Sequence, residues 1–206
     1  MLLKVFRDLF HRLRQGARGA ALTTGAVPAA ADTAQEFKLL LEANQPGRAL
    51  EVAERALARD PSSSVLQYQA GLARFLLGDT AGACASLERA IALNPGGFDN
   101  HVLLGAVLQR RHQFVAALAH YLTAADIRPH DAAICGYAGN MQLALGRPTE
   151  AIASYERALS LDPENSAIHS NLLLAMHSVP GMDRDRLFEA HRRWARRHER
   201  EPGSPA

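Results

Sequence analysis

Residues 1–14, MLLKVFRDLFHRLR, divide by helical angle. At about 100° per residue, Leu2, Leu3, Val5, Phe6, Leu9, Phe10 and Leu13 fall on one arc, with Lys4, Arg7, Asp8, His11, Arg12 and Arg14 on the other. This pattern predicts an amphipathic basic helix over 1–15. The Gly/Ala-rich stretch 16–31 reads as a flexible tether. Helix-compatible runs of aliphatic residues and Ala then alternate with short breaks, and Pro61, Pro95, Pro129 and Pro163 stand 34 residues apart. Each proline biases the residue before it away from helical geometry and closes a helix. Within each block a second break falls at Asn44, Gly78, His112 and Gly146, residues placed where a helix would end in the left-handed conformation. Pro46 and Pro148 follow, at positions where a second helix can start without an N–H. Ser64 with Gln67 reads as a capping box. After the Val179-Pro180-Gly181 break, Leu187, Ala190, His191, Trp194 and His198 recur at helical spacing, which predicts a last helix within 183–200.

With each proline at position 32 of its unit, the blocks run 30–63, 64–97, 98–131 and 132–165, and 166–177 opens a fifth. Position 8 holds Gly71, Gly105 and Gly139, with Phe37 the exception. Position 20 is Ala49, Ala83, Ala117 and Ala151, and position 27 is Ala56, Ala90, Ala124 and Ala158. Position 24 carries Leu87, Tyr121 and Tyr155, with Ala53 the exception. Small residues at 8 and 20 fit a close crossing of two helices, where a larger side chain would push them apart. This period and these positions resemble the tetratricopeptide repeat. The resemblance implies an all-α solenoid of helical hairpins over 32–177 with a C-terminal capping helix, working through an exposed concave groove that binds protein or peptide segments.

Composition narrows the function classes. The array from 30 to 165 carries eleven basic and fifteen acidic residues, whereas residues 1–29 carry five basic residues against Asp8. A mildly acidic array offers no stripe of Lys/Arg to neutralise successive phosphates, so nucleic acid is not an expected partner. Cys84 and Cys135 lack metal-ligand spacing and fit small-residue packing in a reducing compartment. No stretch approaches the roughly 20 apolar residues that span a bilayer, and charges interrupt the N-terminus where a signal peptide would be apolar. A cytoplasmic protein is expected. The helix at 2–14 leaves three readings open: peripheral contact with an anionic membrane, self-capping of the solenoid, and a mitochondrial-type presequence.

No catalytic constellation, cofactor loop or metal motif is found. His101 and His169 share position 4 of their units, which argues for a structural role, and neither has a second ligand at helical spacing. First-helix positions 2, 5, 9 and 12 would line the groove. The candidates are Val65, Tyr68, Leu72 and Phe75, then Asp99, Val102, Ala106 and Gln109, then Ala133, Gly136, Asn140 and Leu143. A surface this apolar is either a partner-binding groove or a seat for the chain's own terminal helices. Position 5 holds Tyr68, Val102 and Gly136, where a carboxylate clamp would want Lys.

The 30 residues SNLLLAMHSVPGMDRDRLFEAHRRWARRHE carry a narrower resemblance. Asn171-Leu172-Leu173, Pro180, Leu187-Phe188, His191-Arg192-Arg193-Trp194 and Arg197-His198 are similar to the junction that follows the repeats in bacterial and SPINDLY-type O-linked N-acetylglucosaminyltransferases. The resemblance implies the substrate-recruiting part of a UDP-GlcNAc-dependent protein glycosyltransferase, with the two-lobed transferase domain lying beyond the junction. It marks His191 as the one residue here that could reach an active site. That family's groove-lining Asn at position 6 is replaced by Gln69, Leu103 and Tyr137, and only Asn171 conforms. The alternative reading is a stand-alone, membrane-associated assembly adaptor.

Overall fold

A computed structural model describes residues 28–198. The amphipathic segment 2–14 and most of the predicted tether therefore lie outside the described residues. Ten helices, and no strands, occur among those described: α1 (Pro28–Glu42), α2 (Pro46–Leu57), α3 (Ser64–Leu76), α4 (Thr80–Leu93), α5 (Phe98–Arg110), α6 (Phe114–Ile127), α7 (Ala132–Ala144), α8 (Pro148–Leu161), α9 (Ser166–His177) and α10 (Arg184–His198). Consecutive helices pack on one another from α1 to α10, and α3 touches α5 as α7 touches α9. The result is an all-α superhelical solenoid of hairpins closed by a C-terminal helix.

The hairpin turns repeat one device. Asn44, Gly78, His112 and Gly146 all take positive φ, at 54°, 86°, 58° and 71°. In each case the N–H of the next residue reaches back to the carbonyl five residues earlier: Gln45 to Leu40, Asp79 to Arg74, Gln113 to Leu108 and Arg147 to Gln142, all at 2.8–2.9 Å. These are Schellman closures, which satisfy the last carbonyls of each first helix and fix the turn. At helix starts, Asp79 accepts from Gly82 N, Asp131 from Ala133 N and Ile134 N, and Asn165 from Ile168 N. The capping box expected at Ser64 and Gln67 is displaced by one residue. Ser63 is the cap and accepts from Leu66 N at 3.3 Å, while Ser64 Oγ donates to the Ala90 carbonyl on α4 of the same hairpin at 2.9 Å.

Inside each hairpin the crossing is tight. A Cβ added to Gly71 would lie 2.8 Å from Leu87 Cγ, one on Gly105 2.8 Å from Tyr121 Cε1, and one on Gly139 2.7 Å from Tyr155 Cε1. Position 8 thus faces position 24, and only a residue without a side chain admits a ring there. The first unit solves the same crossing in reverse, with the large residue at position 8 (Phe37) and the small one at 24 (Ala53), both buried. Ala49, Ala83, Ala117 and Ala151 at position 20 are fully buried. One core cluster runs from Phe37 to Met141, and a second joins α7, α8 and α9, with Leu187 and Ala190 of α10 packed on it. Ion pairs bind α10 further: Arg186 to Glu156 at 3.0 Å and Arg197 to Glu164 at 2.9 Å. Cys84 and Cys135 are buried, one in each cluster. Burial is the main cause that raises both thiol pKa values, which leaves them poor nucleophiles.

Candidate functional site: the concave strip of first helices

The odd-numbered helices present the expected groove positions unequally. Val65 and Asp99 are exposed, and Tyr68, Ala106, Gln109, Ala133, Asn140 and Leu143 are half-buried. Leu72, Phe75 and Val102 do not line an open surface: they are buried, Phe75 to 1% exposure. The reason is the direct contact of α3 with α5, which places these three side chains in one continuous core cluster rather than on its rim. The Arg110 guanidinium adds to this, standing 5.6 Å from the centre of the Phe75 ring. Gly136 is likewise buried, with Ile168 of the next first helix 3.1 Å from where its Cβ would be.

Beside this seam Tyr68 keeps a buried hydroxyl with no hydrogen-bond partner among the described residues. Burial, and then the Asp99 carboxylate, hold its pKa well above the ordinary tyrosine value. Tyr68 is therefore a neutral donor at neutral pH, beside an anionic neighbour.

Further along, the strip acquires ordered amides. Tyr121 Oη donates to Gln109 Oε1 at 3.1 Å, and Tyr155 Oη donates to Asn140 Oδ1 at 2.8 Å. Asn171 Nδ2 also donates to Asn140 Oδ1, at 3.0 Å. Both tyrosines come from second helices and pass the glycine gaps at Gly105 and Gly139 to reach the first-helix amides of their own hairpins. With its oxygen occupied twice, Asn140 leaves Nδ2 available as a donor, and Asn171 leaves Oδ1 as an acceptor. That is the complement of one peptide group, with Leu143 close by in sequence on α7.

The fifth unit extends the strip beyond the residues expected to line it. Stepping 34 residues from Asn140 and Leu143 reaches Leu174 and His177, and Leu174 is 55% exposed. From α10, His191 brings its Nε2 to 3.0 Å from that of His177, and Phe188 stands 61% exposed. The repeat period could have pointed to Leu174 and His177. No sequence signal places His191 beside His177, because that depends on how α10 docks. His101, by contrast, is structural: it is buried, its Nε2 meets the Pro95 carbonyl at 3.0 Å, and its Nδ1 meets His120 Nδ1 at 3.1 Å. Burial, then His101, lower the His120 pKa.

Two family models match the chain, one described as Tetratricopeptide repeat over residues 34–98 and one as TPR repeat over 139–178. The chain belongs to the tetratricopeptide repeat family. Over 105 residues this tetratricopeptide repeat protein is 34% identical to the Hsp70-Hsp90 organizing protein of Triticum aestivum, a match over 50% of this chain and 18% of that one. The chain thus spans under a fifth of that relative's length. Among solved structures, MamA superposes with a TM-score of 0.73 at 18% identity, covering 79% of this chain and 94% of MamA. Residues 41 to the end of MamA from Desulfovibrio magneticus RS-1 give 0.73 at 22% identity, over 85% of this chain and 96% of that one. YrrB, described as a TPR protein with an unusual peptide-binding site, gives 0.69 at 22%, over 79% and 82%. At these identities the likeness is one of fold. Among the described residues no helix is long and apolar enough to cross a membrane.

Proposed function

We propose that this tetratricopeptide scaffold binds an extended segment of a partner protein along the concave strip, with the grip centred on Asn140 and Asn171. The observation that carries this reading is the fixed orientation of the Asn140 amide, held by Tyr155 and Asn171 with its remaining donor unused. A side chain already locked in place loses little entropy when it engages a ligand. Leu143 and Leu174 supply apolar contact on either side, and Val65, Tyr68, Asp99, Ala106 and Gln109 extend the strip toward the N-terminal units. The peptide-binding site named for YrrB is in keeping with this use of the fold. Peptides selected from a random display library on the full chain test it. Asn171→Ala should weaken the selected peptides by about tenfold, the loss of one to two hydrogen bonds, while Val115→Ser on the exposed side of α6 should leave them unchanged. Equal binding by wild type and Asn171→Ala would refute the assignment.

A finer reading follows from the junction motif. We infer that the strip recruits substrates for a SPINDLY-like protein O-GlcNAc transferase activity carried outside these residues. What favours it is α10: the helix bearing the junction residues continues the array, through Leu187, Ala190 and two ion pairs. On this reading the selected peptides should be rich in Ser and Thr. Selection of sequences with no such enrichment would remove its support and leave the binding scaffold intact.

A further inference from the structure

Among the described residues two pairs of imidazoles meet nitrogen to nitrogen, and they differ in what surrounds them. The His101–His120 pair is closed in, because His101 is buried and its other nitrogen is tied to the Pro95 carbonyl. His177 and His191 are both exposed. Their Nε2 atoms lie 3.0 Å apart and their ring centroids 5.3 Å apart, so the rings meet tip to tip across the α9–α10 boundary. At this distance one ring donates its Nε2–H to the other; with both rings in the Nδ1–H tautomer, both Nε2 atoms present lone pairs, from different helices, to a metal ion.

We propose that His177 and His191 form a two-imidazole site for a divalent transition-metal ion, which staples the capping helix α10 to α9. Imidazole nitrogen favours ions of the zinc, copper and nickel group over hard cations such as magnesium. Two Zn–N bonds of about 2.0–2.1 Å at a tetrahedral angle need nitrogens about 3.4 Å apart. Because the two nitrogens now face each other head-on, they need to part by a few tenths of an ångström and each ring to turn by about 35° so that both lone pairs aim at one tetrahedral ion, a change open to two exposed side chains. Of the two arginines that follow His191, Arg192 is held by Glu189 at 2.7 Å, and Arg193 is exposed to solvent. Farther down the same helix, Arg186 is held by Glu156. Pairing reduces the positive field that would oppose a metal ion. Among the described residues no group of three or more His, Cys, Asp or Glu is gathered for a metal, so the protein supplies two ligands. The other positions are open to water, or to a side chain of whatever occupies the strip at Leu174 and His177.

The pair escapes a reading of ligand spacing along one helix because its members come from different helices. Calorimetric titration of the full chain with zinc chloride tests the site, alongside His177→Ala and His191→Ala. Both side chains are exposed, so both variants should keep the wild-type circular dichroism. Wild type should take up zinc saturably, and each variant should bind it about tenfold more weakly or worse, with magnesium bound by none of them. The thermal midpoint should rise with zinc in wild type alone. No saturable zinc binding by wild type, or equal binding by both variants, would overturn the proposal.

Discussion

Gly139→Ala sets two well-understood effects against each other. Within a helix, alanine is favoured over glycine by about 1 kcal/mol, so propensity alone makes this substitution stabilising. The added methyl would sit 2.7 Å from Tyr155 Cε1 and 2.9 Å from Cδ1. The ring has no room to recede: Tyr155 is fully buried, and its hydroxyl is tethered to Asn140. Overpacking a filled core costs about 1–3 kcal/mol, and an immobile ring puts this site in the upper part of that range, for a net loss of about 1–2 kcal/mol. Gly47, near the start of α2, has nothing within 4 Å of where its Cβ would be, so Gly47→Ala should be neutral or stabilising by up to about 1 kcal/mol. Urea unfolding followed by circular dichroism reads both as midpoint shifts of opposite sign. A double-mutant cycle isolates the cause: in a Tyr155→Leu background the penalty of Gly139→Ala should shrink, with a coupling of about 1–3 kcal/mol. If Gly139→Ala unfolds at or above the wild-type midpoint, the close crossing of positions 8 and 24 is wrong, and the register of the repeats with it.

Alkaline titration probes the same core. Burial first, then Asp99 for Tyr68 and Tyr137 for Tyr121, raises the hydroxyl pKa values of Tyr68, Tyr121 and Tyr155, whereas in the unfolded chain they ionise near pH 10. Above about pH 10 the unfolded state then binds fewer protons than the folded one, so stability is intact below that pH and falls as pH rises. Tyrosinate absorbance should increase together with loss of helix, and ionisation of these residues with the helices intact would contradict the burial argument. For catalysis, titration of the chain with UDP and UDP-GlcNAc should show no saturable binding, and binding of either would refute a scaffold acting by contact alone.

The fold was legible because its determinants are local and repeated. Asn44, Gly78, His112 and Gly146 were recognisable as left-handed turn residues without any knowledge of tertiary contacts, and each closes the same hydrogen-bonded turn. The two departures from the pattern, Phe37 and Ala53, looked independent in sequence, yet they occupy the facing positions 8 and 24 and exchange large for small. Only the packing shows that they compensate. Ser63 and Ser64 could not be told apart as caps, because either can accept from the first turn. The choice was made by the Ala90 carbonyl, which takes the Ser64 hydroxyl from the other helix of the same hairpin.

The groove was less legible, since which first-helix positions face solvent depends on the rotation between successive units, a quantity no single repeat encodes. Leu72, Phe75 and Val102 have the positions of groove residues, but the contact of α3 with α5 draws them into the core. The same geometry explains what remains. A glycine at position 8 admits a tyrosine ring at position 24, and the ring's hydroxyl emerges among the first-helix amides at Gln109 and Asn140. In the second unit Leu87 fills position 24 against Gly71 and has no hydroxyl to offer. The ordered amides consequently belong to the third and fourth units. The packing that makes the repeat recognisable thus also orients the groups available to a partner, and it does so most strongly toward the C-terminal end, where Asn171, Leu174 and His177 continue the strip.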